Sequence, residues 1–258
     1  MFCGGTDVSI NTPAVNKYAN DINTNIVNIY TAFQEKSIDE VMDFINARIK
    51  EFQLTRFNAE GFLKYRDLFN TNPEYQTPLD LFTLSRFSFN NKISFNTNME
   101  YNASFGWNHS DFNLTQRANT RAMHAAIQNI NFSSMDFRNF DISKFTNPND
   151  FLYVDPPYLI SDAQYNTGPR AINSRWDVQD DIDLYVFLDK ANEQGLKWAL
   201  SNIITHKGKE NVVLIEWSEK YNVYDIFSDY SKAVYNKTKT TDPTIEVLVT
   251  NYTLEDIK

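Results

Sequence analysis

The chain has 258 residues, 42% of them hydrophobic, 22% charged and 15% aromatic, with a formal net charge of −9. That composition suits one large globular domain or one domain carrying an insertion, and it excludes a disordered, collagenous or disulfide-stapled chain. A single cysteine, Cys3, excludes an internal disulfide and a cysteine-based zinc site and fits a reducing compartment; no apolar run reaches the ~20 residues of a membrane span, and the start MFCGGTDVSI lacks the pattern of a signal peptide.

Taken in order, Met1–Cys3 reads as the tail of a strand, with Gly4-Gly5 permitting a tight turn. Ala14–Asn20 reads as a second short strand ending at Asp21. Asn23 is placed to cap a helix from about Thr24 to Phe33 with Ile26, Ile29, Tyr30 and Phe33 on one face. Ser37-x-x-Glu40 is a capping-box pattern ahead of Val41, Phe44, Ile45 and Ile49 at helical spacing. Further helices are expected around Phe62–Phe69 and Leu79–Leu84, then a hairpin of Ile93–Asn96 with Met99–Asn102, then a helix over Thr115–Asn129.

Beyond residue 130, strands alternate with helices. Phe151–Val154 is a short apolar strand, Asp177–Glu193 a helix broken at Gly195, Lys197–Ser201 a strand, and Glu210–Lys220 a helix after the loop His206–Lys209. Strands follow near Val223–Phe227, Lys232–Tyr235 and Ile245–Thr250. The expected class is α/β, a mostly parallel sheet covered by helices with an antiparallel edge.

In such sheets, ligands sit at the carboxyl ends of strands. Three strand ends are polar or glycine-rich: Phe2-Cys3-Gly4-Gly5, Asn20-Asp21 and Asp155-Pro156-Pro157-Tyr158. Gly4-Gly5 is either a plain turn or a loop that lets backbone amides approach a ligand, and Asp21 either caps a helix or accepts bonds from ribose hydroxyls. Asp155–Tyr158 carries more. Two prolines remove amide donors and stiffen the loop, Asp155 adds a carboxylate acceptor, and Tyr158 adds a flat face, a set suited to a planar substrate with an amino group. Nucleic acid is disfavoured by the total charge, yet between Arg86 and His124 four basic residues, Arg86, Lys92, Arg117 and Arg121, face only Glu100 and Asp111. A local nucleic-acid contact and a solvated loop region fit that segment equally well. His109, His124 and His206 have no metal-ligand spacing, so no metal is expected.

FCGG at 2–5, ANDIN at 19–23, YVDPPYLI at 153–160 and LSN at 200–202 together resemble the adenine-specific DNA methyltransferases of the Dam type, and the stretch 200–223 is most like the T-even phage members. The resemblance implies the class I S-adenosylmethionine-dependent methyltransferase fold, with 1–30 and 130–258 as the catalytic domain and 31–129 as an inserted helical target-recognition domain. It implies S-adenosylmethionine held by Phe2, Cys3, Gly4, Asp21, Asp136, Phe137 and Asp155, and a flipped target adenine held by Asp155, Pro156, Pro157 and Tyr158. Double-stranded DNA would be met by Arg86, Asn90, Asn91, Lys92, Arg117 and Arg121.

The chain departs from the family pattern in two places. The family has an upstream glycine- and lysine-bearing cofactor loop that is missing ahead of Met1, so S-adenosylmethionine is expected to bind less tightly, by at least ~1.4 kcal/mol or about tenfold, than in a longer chain. The segment 87–109 keeps Phe105-Gly106 but has Ser104 before it and no arginine. Arginine on guanine is the commonest specific base contact, which weighs against GATC as the target. The expectation is therefore a DNA adenine methyltransferase, cytoplasmic in a bacterial or phage-infected cell, with a companion restriction enzyme possible. The alternatives are a weakened or inactive DNA-binding relative and an RNA or protein-glutamine methyltransferase.

Overall fold

A computed structural model describes residues 1–161, 176–226, 244–253 and 255. By contact density they fall into two units, one of Cys3–Ser134 and one of Met1–Phe2 with the described residues from Met135 onward.

The Cys3–Ser134 unit is mainly helical: α1 (Asp7–Asn11), β1 (Lys17–Asn20), α2 (Thr24–Gln34), α3 (Ile38–Glu51), α4 (Ala59–Thr71), α5 (Pro78–Phe87), α6 (Leu114–Ile127) and β2 (Ile130–Ser133). The helix starts are chemical. The Asn23 side chain caps α2, and Ser37 with Glu40 closes the reciprocal capping box of α3. The faces read from the sequence turn inward, so that Phe33, Val41, Ile45, Phe62, Tyr65 and Leu84 are all fully buried. Each such side chain contributes about 1.5–3 kcal/mol relative to exposure. α5 is buried almost all round, down to the carboxylate of Asp80. That carboxylate accepts from Arg48 Nε (2.8 Å), Tyr65 Oη (2.6 Å) and Thr77 Oγ1 (2.6 Å), so one buried charge ties α3, α4 and α5 together.

Two local expectations take a particular form. Met1–Cys3 forms no strand: Phe2 and Gly4 both take positive φ (56° and 43°), which breaks the extended run. The tight turn does form, with Thr6 N donating to Cys3 O. The expected hairpin of Ile93–Asn96 with Met99–Asn102 pairs through Asn96 N to Glu100 O, Asn102 N to Ser94 O and the bridge Phe95–Tyr101, too short a pairing to make a continuous ladder.

The second unit is an α/β layer built on one five-stranded sheet: β3 (Phe151–Val154), β4 (Lys197–His206), β5 (Lys209–Glu210), β6 (Asn222–Ile226) and β7 (Ile245–Thr250), with α7 (Val178–Glu193) and α8 (Val212–Ser218). The order is β3-β4-β7-β6, with β5 hairpinned onto β4. Its core gathers Val154, Leu184, Leu188, Trp198, Leu200, Leu214, Val247 and Val249. The expected mostly parallel sheet is a mixed one. Parallel pairing is confined among the described residues to β1–β2 and β3–β4. β7 runs antiparallel to both β4 and β6, and β6 is the outermost strand at that end of the order. β4 outruns its expected end at Ser201 and turns tightly at Lys207-Gly208, both at positive φ. The strand expected at Lys232–Tyr235 lies outside the described residues.

Candidate active site

β3 ends at Val154, opposite Leu200 of its parallel neighbour β4, so Asp155 emerges beside Ser201 at a strand end. Pro156 and Pro157 are buried, and the loop closes with Ser161 N donating to Tyr158 O at 3.1 Å. The Tyr158 hydroxyl lies 3.0 Å from Asp155 Oδ1, 3.0 Å from Ser201 Oγ and 3.1 Å from Glu246 Oε1. Glu246 reaches this group because β7 pairs Leu248 with Ser201 and Glu246 with Ile203, making Glu246 a diagonal neighbour of Ser201 on one face. Desolvation among these side chains pushes the Asp155 carboxyl above the usual carboxylate range; Tyr158 offsets that by donating to it, and the charge of Glu246 adds to it. Desolvation likewise pushes the Tyr158 phenol far above its usual value. The result is an acceptor-rich cluster with a rigid carbonyl-bearing loop beside it.

In the helical unit, Asp21 follows β1 and is pinned by backbone amides, accepting from Gly4 N at Oδ2 (2.9 Å) and from Asn23 N at Oδ1 (2.8 Å). Each oxygen keeps a further lone pair for an outside donor. The Gly4 carbonyl accepts from Tyr30 Oη at 2.9 Å. Burial, with Asp21 next, pushes the Cys3 thiol up to about 11, so it stays protonated and unreactive at neutral pH.

In the sheet unit, Phe137 is buried within 6.1 Å of the rings of Phe2, Trp176 and Phe187, and the Arg138 guanidinium sits 4.5 Å over it. Asp136 accepts from Arg138 N at 3.0 Å and ion-pairs with its guanidinium, which also holds Asp180 and Asp183. Trp176 is fixed in turn by donating to the buried Asp181 at 2.7 Å.

The basic and amide side chains divide. Asn90, Asn91 and Lys92 share one tight turn in which both asparagines have positive φ, and Lys92 is exposed. Arg117 and Arg121 lie one turn apart on α6, bonded to Asn46 (2.7 Å) and Asp39 (3.2 Å). Arg86 is half-buried over Phe82 and bonded to Ser85 Oγ, and burial lowers its pKa.

Sequence reasoning assigned no role to Ser201, although the LSN stretch was visible, and overlooked Glu246, whose strand IEVLVT gives no polar signal beyond the glutamate itself. It also passed over an exposed pair, Trp107 (59% accessible) against Phe57, with Arg56 4.9 Å over the Phe57 ring. Among the described residues, no cluster of three or more His, Cys, Asp or Glu is arranged to hold a metal, and no helix is long and apolar enough to cross a membrane.

Comparison with known proteins gives the same direction. The chain is 39% identical over 257 residues to the type II methyltransferase M.FokI of Planomicrobium okeanokoites, 38% identical over 257 residues to the modification methylase StsI of Streptococcus sanguinis, and 29% identical over 253 residues to the modification methylase LlaI of Lactococcus lactis subsp. lactis. These alignments take in 98%, 98% and 96% of this chain but 38% of each relative, so the chain spans well under half the length of the proteins it matches. The family model of the D12 class N6 adenine-specific DNA methyltransferases matches residues 1–243, and the chain belongs to that family.

Proposed function

We propose that the chain methylates the exocyclic amine of an adenine flipped out of duplex DNA, with S-adenosylmethionine as methyl donor. The observation that carries this reading is the strand-end cluster of Asp155, the two buried prolines and Tyr158 in a chain of this family. The adenine amine is a weak nucleophile because its lone pair is delocalised into the ring. Asp155 and the Pro156 carbonyl would accept its two hydrogens and draw nitrogen toward a pyramidal geometry with an available lone pair, and Tyr158 would offer its ring face to the base. Transfer would form the N–C bond as the donor's S–C bond breaks to leave a neutral thioether, and Asp155 would pass the surplus amine proton to solvent.

Asp21 fits the cofactor's ribose, since both its oxygens are oriented by backbone amides and still accept. Cys3 and Gly4 lie in the turn that presents the Gly4 amide, and Phe2 before them is proposed to line the cofactor. Phe137, beside Asp136, is the proposed stacking surface for the cofactor's adenine; its ring is already contacted by Phe2, Trp176, Phe187 and Arg138, so stacking requires one of these to withdraw. When bound, the cofactor supplies an electrophilic methyl group. On the DNA side, the turn of Asn90, Asn91 and Lys92, together with Arg117 and Arg121, is proposed to meet the duplex. The functional division keeps 1–30 and 130–258 as catalytic and 31–129 as the recognition insertion, in a cytoplasmic modification enzyme with a restriction partner.

Expression in cells whose DNA lacks methyladenine tests the reading. The wild-type chain should introduce N6-methyladenine at a recurring sequence and Asp155→Ala should not; equal methylation by both, or none by either, refutes it.

A further inference from the structure

The Tyr158 hydroxyl is surrounded by more acceptors than it has hydrogens. Asp155 Oδ1, Ser201 Oγ and Glu246 Oε1 lie at 3.0, 3.0 and 3.1 Å, and Ser201 Oγ is itself 3.3 Å from the same Glu246 oxygen. A phenol and a serine hydroxyl carry one hydrogen each. Two arrangements follow. In one, Tyr158 donates to Asp155 while Ser201 donates to Glu246, and Asp155 Oδ1 is engaged. In the other, Tyr158 donates to Glu246, Ser201 donates to the phenol oxygen, and Asp155 Oδ1 is released to an incoming donor.

We infer that Glu246, with Ser201 as its relay, is a positioning residue that takes over the Tyr158 hydrogen bond when the substrate amine claims Asp155. The inference rests on the methyl-transfer reading of the same cluster. Without Glu246, the phenol has only Asp155 and Ser201 to donate to, and competes with the amine for the carboxylate. The switch moves no heavy atom far, since all four oxygens are already within hydrogen-bonding distance or close to it. The charged and titratable groups facing Asp155 are Tyr158 on its own loop, Tyr153 on β3, Glu246 on β7 and the Met1 amino group, with neutral Ser201 on β4. Of these, Glu246 is the like charge, so its removal makes Asp155 easier to ionise.

The test uses the full chain and four variants. Glu246→Ala should lower kcat about tenfold while the KM for DNA stays close to wild type, a misplacement effect rather than a binding one. Glu246→Gln keeps an acceptor oxygen of the same shape, so it should retain most of the rate and move the acid limb of the kcat–pH profile to lower pH. In a Tyr158→Phe background there is no phenol hydrogen to redirect, and adding Glu246→Ala should cost little more. A wild-type kcat in Glu246→Ala with an unmoved acid limb in Glu246→Gln, or an equal cost of Glu246→Ala in both backgrounds, overturns the inference. Carbon-13 NMR titration of the Asp155 carboxyl, without substrate, separates it from the methyl-transfer reading. A midpoint lowered in Glu246→Gln supports the coupled cluster even if no methyl transfer is found, and an unmoved midpoint overturns it even if methyl transfer is.

Discussion

Asp155 carries opposite demands at neutral pH. Folding desolvates its carboxyl and raises its pKa, so ionisation is harder in the native state than in the unfolded chain. The native pKa lies above the unfolded value, so the carboxyl's contribution to stability is fully present below the unfolded pKa and lost as pH rises through the native one. Asp155→Asn mimics the protonated form. It should therefore melt higher than wild type at neutral pH, with the difference shrinking as pH falls into the carboxylate range, while methyl transfer drops ~10²–10³-fold for want of the charged acceptor. Thermal melts across pH beside single-turnover rates check both halves. At Asp21, replacement by Ala removes the acceptor that backbone amides have oriented and should weaken S-adenosylmethionine binding by about 1.5–3 kcal/mol, read by titration calorimetry. The positions of both residues at strand ends were legible in the sequence because they are local: a carboxylate at a strand end needs no partner to be noticed. Glu246 was not, because its role exists only once β7 lies antiparallel beside β4 and brings a residue 88 positions from Tyr158 within 3.1 Å.

Among the elements, helices were read closely and their purposes less so. Capping chemistry at Asn23 and Ser37–Glu40 fixed the starts of α2 and α3 to within a residue, since a cap is a short-range event. Sheet partners were not legible, and a strand such as Ile130–Ser133 finds its parallel neighbour Lys17–Asn20 more than a hundred residues away. Arg86 shows the same limit: sequence places it among basic residues, and packing of α5 half-buries it over Phe82. Arg86→Ala should accordingly lower thermal stability and leave the salt slope of DNA binding unchanged, whereas replacing exposed Lys92 should reduce that slope by about one unit if it meets a phosphate. Fluorescence titrations at several salt concentrations distinguish them. In the helical unit, Asp80→Ala removes the buried acceptor shared by Arg48, Tyr65 and Thr77 while Arg48 keeps its pair with Glu51; leaving the buried Tyr65 hydroxyl without that acceptor should cost about 1–3 kcal/mol in chemical denaturation.

For the whole molecule, the net charge of −9 and the proposed DNA substrate are reconciled only by local chemistry. The carboxylates include buried and paired ones, such as Asp80, Asp181 and the Arg138 set, and the proposed contacts are a turn and one helix face. The family assignment was legible from short ordered motifs, while the mixed strand order and the grouping of Cys3–Ser134 as one unit depend on pairings that sequence does not display. The central claim is that this cluster delivers a methyl group to adenine. Purified chain incubated with duplex DNA and isotope-labelled S-adenosylmethionine, followed by digestion to nucleosides and mass analysis, tests it most directly. The account predicts label in N6-methyladenine alone, lost in Asp155→Ala; label in cytosine or in protein, or label undiminished in that variant, would contradict it.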